Sequence, residues 1–184
     1  VYGKQQVGEK FRYSEKQLLK RWFPDRSIGD QSHPFCNNAN AAIRRELWEG
    51  AEYDENLTGL EDMAWAKQMM SLSYKIVYNA EAEIAHVHDE TPKQIFNRYR
   101  REAIAMRQIF PHERLRLLKT LYLFFGNVLS DYFCAIHERS FWRNVIDIPL
   151  FRFLQHWGTY IGHAQQGPVS TELTKRFYYP NRFQ

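Results

Sequence analysis

The segment Thr91-Pro92-Lys93-Gln94 leaves the backbone little choice of conformation. Threonine is a good helix cap, proline presets the first helical φ, and glutamine three residues past the cap can reach back to it. The text that follows keeps Ile95, Tyr99, Ala103, Met106 and Phe110 on one face, which predicts a helix to about Phe110, ended by Pro111. Just ahead of it, residues 82–88 alternate as a strand does, and residues 74–78 form another β-rich run. Strand text feeding a strong helix signal points to an α/β fold.

Other local signals fill in the front of the chain. Ser14-Glu15-Lys16-Gln17 reads as a capping box for a short helix through Leu18, Leu19 and Trp22, stopped by Pro24. Residues 25–38 are loop text, and residues 41–49 read as a second short helix stopped by Gly50. Thr58-Gly59-Leu60-Glu61 reads as another capping box, opening a helix with Trp65, Met69 and Leu72 on one face.

Past Pro111 the text becomes rich in Leu, Phe and Trp, so the expected division is 1–112 and a mainly helical extension at 113–184. The uncharged run at 120–130 is too short to span a bilayer. Gly158, Gly162, Gly167 and Pro168 suggest a loop-rich end. His156 and His163 lack partners at ligand spacing and read as structural or exposed.

Charge divides the same way. Residues 1–92 carry 11 Lys/Arg against 15 Asp/Glu, whereas residues 93–184 carry 14 against 6. A basic second half suits phosphates on a nucleotide-like ligand or on lipid headgroups. Without a Lys/Arg run or a nucleic-acid-binding signature, nucleic acid is not the expected partner. The two cysteines, Cys36 and Cys134, are far apart and lack metal-type spacing, which fits a reducing, cytoplasmic compartment.

Three clusters could carry chemistry. Glu61 and Asp62 lie at a helix start, where acids also serve capping and the helix dipole. Glu61 would close the box with Thr58, which leaves Asp62 as the candidate general base. His86 and His88 share one face of a strand and could hold a divalent metal or grip an anion, although the spacing equally fits an ordinary strand end. Asn37, Asn38 and Asn40 offer amide donors and acceptors for hydroxyl groups, and an Asn-rich turn is the plain alternative. Arg98 and Arg101, three apart on the helix after Thr91, could meet phosphate or simply form a solvated face.

The order Asn38-x-Asn40-x-Ala42-x-Arg44-Arg45, Tyr53-Asp54-Glu55, Gly59-Leu60-Glu61-Asp62, Tyr74-Lys75-Ile76 and Ala85-His86-Val87-His88 resembles the acceptor-side half of family 2 glycosyltransferases of the GT-A fold. The text is most similar to bacterial enzymes of surface-polysaccharide assembly, rhamnosyltransferase-like members included, and the likeness runs over roughly residues 1–110. The resemblance implies the C-terminal half of a GT-A nucleotide-diphospho-sugar transferase domain followed by a helical extension. It implies inverting transfer from a nucleotide-sugar donor to a glycan or lipid-linked acceptor, with Asp62 as base and Glu61 positioning the acceptor or capping the helix.

By the same resemblance Asn37, Asn38 and Asn40 would line the sugar and acceptor pocket, and Arg98 and Arg101 would meet the leaving diphosphate. His86, and less directly His88, would contact a divalent cation (Mg2+ or Mn2+) or the diphosphate. The family's nucleotide-binding strands and Asp-x-Asp motif are not in this text, and Asp147-Ile148-Pro149 is no match for that motif. The main metal carboxylates are therefore expected outside the chain, and the isolated polypeptide is expected to be inactive. Expected localisation is cytoplasmic, with peripheral contact at the inner face of the cytoplasmic membrane through 113–184. The competing reading is a non-catalytic sugar-binding or membrane-association remnant. A two-histidine-one-carboxylate metal hydrolase would need a further ligand that the sequence does not supply.

Overall fold

The computed structural model describes residues 1–8, 11–86 and 89–165. In chain order the elements are β1 (Tyr2–Val7), α1 (Tyr13–Trp22), a 3-10 turn (Asn38–Asn40), α2 (Arg45–Gly50), α3 (Glu61–Ser71), β2 (Tyr78–His86), α4 (Pro92–Ile109), α5 (Leu117–His137), α6 (Phe141–Asn144) and α7 (Asp147–Ala164). They form two compact units. The first takes 1–11, 15–56 and 60–89; the second takes 12–14, 57–59 and 90 onward.

The first unit is built on β1 and β2, which pair in parallel. Register runs Tyr2 to Tyr78 and Gly3 to Asn79, then resumes at Lys4 to Glu83, so Ala80, Glu81 and Ala82 bulge out between two adjacent residues of β1. Gly3 is required there. A Cβ at that position would lie well inside 3.0 Å of the Ala82 carbonyl and the Asn40 side chain. Tyr2, Phe23, Trp65, Met69, Ile76 and Tyr78 form the buried core, in which Tyr2 packs on Phe23, Phe35 and Tyr78.

Several expectations are corrected here. Residues 74–78 and 82–88 were expected as two strands; one strand, Tyr78–His86, replaces them, and residues 87–88 lie outside the described residues. Ser14 falls inside α1 and is fully buried, so it cannot serve as the cap of a box. The helix expected at 41–49 starts only at Arg45, because Ala41 bridges to Tyr2 and Ala42 N–H donates to the Val1 carbonyl. Those backbone groups are engaged by extended partners and cannot enter a helix. Leu72 ends α3 as its C-cap and is exposed, whereas Trp65 and Met69 are buried as the spacing predicts.

The second unit is helical. Helix α4 starts as its sequence dictates: Thr91 Oγ1 accepts from Gln94 N–H, and Gln94 Oε1 accepts from Thr91 N–H at 2.8 Å. Ile95, Tyr99 and Ala103 are buried, while Met106 and Phe110 are half-buried. Gly158 and Gly162, expected in a loop-rich end, lie inside α7 against α4. A Cβ at Gly158 would come within 2.7 Å of the Phe96 carbonyl, and one at Gly162 within 2.7 Å of Ala103 Cβ. The glycines thus serve close approach of two helix backbones rather than a turn. Gly167 and Pro168 lie outside the described residues.

Between α5 and α7, Arg152 makes a bidentate pair with Asp131 (2.8 and 2.9 Å), both side chains fully buried. Arg152 also donates to Gln155 at 2.8 Å. His156 is buried beside them, with its Nε2 3.1 Å from Asn127 Nδ2. Burial first, and the Arg152 charge second, hold His156 down to about 4. It is structural, as the lack of ligand spacing implied.

Candidate active site

The first unit brings Asn37, Asn38 and Asp62 together. Their meeting point is the start of α3, which departs from the capping box the sequence suggests. The N-cap is Leu60, in the left-handed region at φ 59°, and it makes no side-chain cap bond. Thr58, within the second unit, is fully buried and its hydroxyl donates to the Arg101 carbonyl at 2.9 Å. Glu61 is therefore the first helical residue, not the third. Near the helix N-terminus its charge still complements the dipole.

Asp62 occupies the next position and is half-buried. One carboxylate oxygen accepts from its neighbour's amide, Met63 N–H, at 2.8 Å, and the other accepts from Asn38 N–H at 2.9 Å. These bonds fix the plane of the carboxylate and leave a lone pair on each oxygen. Burial pushes its pKa above the usual aspartate value, with the adjacent Glu61 charge adding to the rise, against the lowering effect of the amide donors. A carboxylate that is oriented and made more basic is the equipment of a general base.

The loop opposite is held as firmly. Asn37 caps the 3-10 turn, accepting from Ala39 N–H at 2.9 Å and from the Gln5 amide of β1 at 2.6 Å. Asn38 accepts the Tyr53 hydroxyl at 2.7 Å. Tyr53 in turn packs edge-on against Trp65, whose indole N–H donates to the Ala51 carbonyl at 2.6 Å. Burial raises the Tyr53 hydroxyl pKa and pushes the Cys36 thiol up to about 11, with the Asp62 charge contributing to both. Tyr53 is the residue that local sequence reasoning undervalued. An aromatic with a polar tip, set between the Asn loop and the acidic pair, was the available signal.

The other expected site residues are placed differently. Asn40 uses its amide N–H on the Ala82 carbonyl at 2.7 Å, tying down the β2 bulge. His86 ends β2 in register with Val7, and His88 lies outside the described residues. Arg98 and Arg101 belong to the second unit. There Arg98 bonds Glu90 through Nε and pairs with it through a terminal nitrogen, both at 2.8 Å, and its guanidinium lies 4.8 Å from the Tyr99 ring centre. Arg101 lies against Gly59, whose φ is +155°. Among the described residues no three His, Cys, Asp or Glu side chains gather as a metal site. These residues therefore do not by themselves fit a divalent cation, and no chemical step below runs through one. Among them, too, no helix is long and apolar enough to cross a membrane.

No protein-family profile matches the chain, and no solved structure matches it. Two curated proteins do. Over 90 residues, 48% of the chain, it is 37% identical to the O-antigen chain rhamnosyltransferase WbaN of Salmonella anatum. Over the same length it is 36% identical to the O-antigen chain rhamnosyltransferase RfbN of Salmonella typhimurium. The matched stretch covers 28% of the length of either relative. The chain is thus similar, over about half of itself, to part of two O-antigen rhamnosyltransferases.

Proposed function

We propose that this chain is the acceptor-side part of a glycosyltransferase of surface-polysaccharide assembly. It would belong to the GT-A, family 2 type and transfer a sugar, rhamnose being the first candidate, from a nucleotide-sugar donor to a glycan or lipid-linked hydroxyl. The relatives' names support the chemistry class. The observation that carries the mechanism is the Asp62 carboxylate, half-buried and held by two backbone N–H groups.

In that reading the acceptor hydroxyl donates to a free lone pair of Asp62. As its oxygen attacks the anomeric carbon from the face opposite the leaving group, the proton passes to Asp62 and the carbon–oxygen bond to the nucleotide diphosphate breaks. Inversion follows from single displacement. Asn38 and Tyr53 keep the base aligned, and Asn37 anchors the loop to β1.

The test is Asp62→Asn in the full gene product, assayed with labelled nucleotide-rhamnose and a glycan acceptor. Loss of a general base lowers kcat by about 10²–10⁴-fold, with the donor KM little changed. In the wild type, kcat should fall as pH drops through the raised Asp62 pKa, because only the ionised carboxylate accepts the proton. A folded Asp62→Asn enzyme with undiminished kcat would refute the assignment.

A further inference from the structure

Along α5 and α7 the second unit buries an ion pair and leaves a row of large apolar side chains exposed. The buried positions of α5 are Thr120, Val128, Asp131 and Ala135, and those of α7 include Arg152, Gln155 and His156 beside the apolar Ile148 and Phe151. The exposed positions of α5 include Leu118, Tyr122, Phe125, Leu129, Phe133 and Ile136, one stripe at helical spacing, with Leu118 81% and Phe133 71% exposed. Ile146, Leu150, Phe153 and Trp157 make a matching stripe through α7. Ring contacts join the two: Phe125 to Phe124, Phe124 to Phe153, and Phe153 stacked on Trp157. A helix pair that faces water ordinarily puts charge outside and Leu and Phe within; here an ion pair is inside, while Tyr122, Phe125, Phe133, Phe153 and Trp157 are exposed.

From this we propose that the joined outer faces of α5 and α7 are an interfacial docking surface for a membrane leaflet carrying anionic headgroups. The helices would lie in the plane of the headgroups, since no described helix can cross a bilayer. Charge selects this occupant. Exposed Arg114, Arg116 and Lys119 stand at the start of the α5 stripe, and exposed Arg139 and Arg143 follow its end. Opposing them among residues 112–165, the exposed acids are Glu113 and Glu138, and Glu138 already accepts the Tyr13 hydroxyl at 2.9 Å. Lys119 lies 5.4 Å from the Tyr122 ring centre, an ammonium beside an interfacial aromatic, and Trp142, 86% exposed, suits the same depth. A basic rim around an apolar, aromatic face is what an anionic lipid surface recognises. The surface would bring the site to a lipid-linked acceptor, which rests on the glycosyltransferase reading; docking itself does not.

Vesicle flotation of the 184-residue chain tests this without any sugar transfer, so its failure is separable from failure of the enzyme reading. The chain should float with phosphatidylethanolamine–phosphatidylglycerol vesicles at low salt and far less with phosphatidylcholine alone. Phe125→Ser/Leu129→Ser/Phe133→Ser changes only exposed side chains, so its circular dichroism should match wild type while partition falls at least about tenfold. Arg114→Gln/Arg116→Gln/Lys119→Gln should lower partition on anionic vesicles by about 10- to 100-fold. Absence of flotation at low salt, or flotation untouched by the serine substitutions, would overturn the proposal. Self-association that the serine variant abolishes, with no vesicle binding, would overturn it in favour of a second copy as the occupant. Equal partition onto neutral and anionic vesicles would overturn the role of the basic rim.

Discussion

Replacing Gly162 by alanine should destabilise the helical unit, while the same replacement at Gly126 should stabilise it. Both glycines sit within helices, Gly126 in α5 and Gly162 in α7. In each, alanine gains about 1 kcal/mol of helix propensity. A Cβ at Gly126 meets nothing within 4 Å. At Gly162 it meets the Arg100 carbonyl well inside 3.0 Å and Ala103 Cβ at 2.7 Å. A carbonyl in the middle of α4 cannot retreat without disturbing its own helical bond, so the helices must separate at a cost of about 1–3 kcal/mol. Because the propensity gain is common to both variants, the difference between their urea-unfolding free energies reads the steric cost alone. Circular dichroism at a helical wavelength, with urea as denaturant, measures it. Equal stability of Gly126→Ala and Gly162→Ala would refute the close-packed crossing.

Three further outcomes follow from the same unit. Asp131→Ala strands a buried guanidinium and should cost about 3–5 kcal/mol, most of it recovered in Asp131→Leu/Arg152→Met, where no charge is left behind; equal loss in both proteins, read by urea unfolding, would deny the ion pair that role. Thr91→Ala removes the cap of α4 and should cost about 1 kcal/mol by the same assay, and an unchanged midpoint would contradict the box. His156 titrates near 6.5 when unfolded and at about 4 when folded, so between those values the unfolded chain holds a proton the native chain does not. Stability is then full above pH 6.5 and declines as pH falls toward 4. His156→Gln should flatten that decline, and identical pH profiles for the two proteins would remove His156 as its source.

Much of the local structure could be read in advance because its causes are local. Thr91, Pro92 and Gln94 lie within one helical turn, and their hydrogen bonds close as the residue types demand. Pro24 and Pro111 follow the ends of α1 and α4 as expected, since a missing N–H acts on the nearest turn. The meeting of Asn37, Asn38 and Asp62 was legible only as a resemblance, because 24 residues separate Asn38 from the carboxylate its amide binds.

What tertiary structure alone decided has one cause: a polar group or a vacant Cβ position can be used by a partner far along the chain. Thr58 has the right spacing for a capping box, yet its hydroxyl goes to the Arg101 carbonyl, and Leu60 becomes the cap. Asn40 looks like a ligand amide, and the β2 bulge takes its N–H. Gly158 and Gly162 carry the composition of a loop, and only the proximity of α4 makes them interior helical residues. The sequence by itself determined the start of α4 and which stretches are apolar, because capping and periodicity act over a few residues. Which hydroxyl, amide or glycine would be claimed by a distant backbone, and that the apolar face of α5 would point outward over a buried Asp131–Arg152 pair, depended on packing.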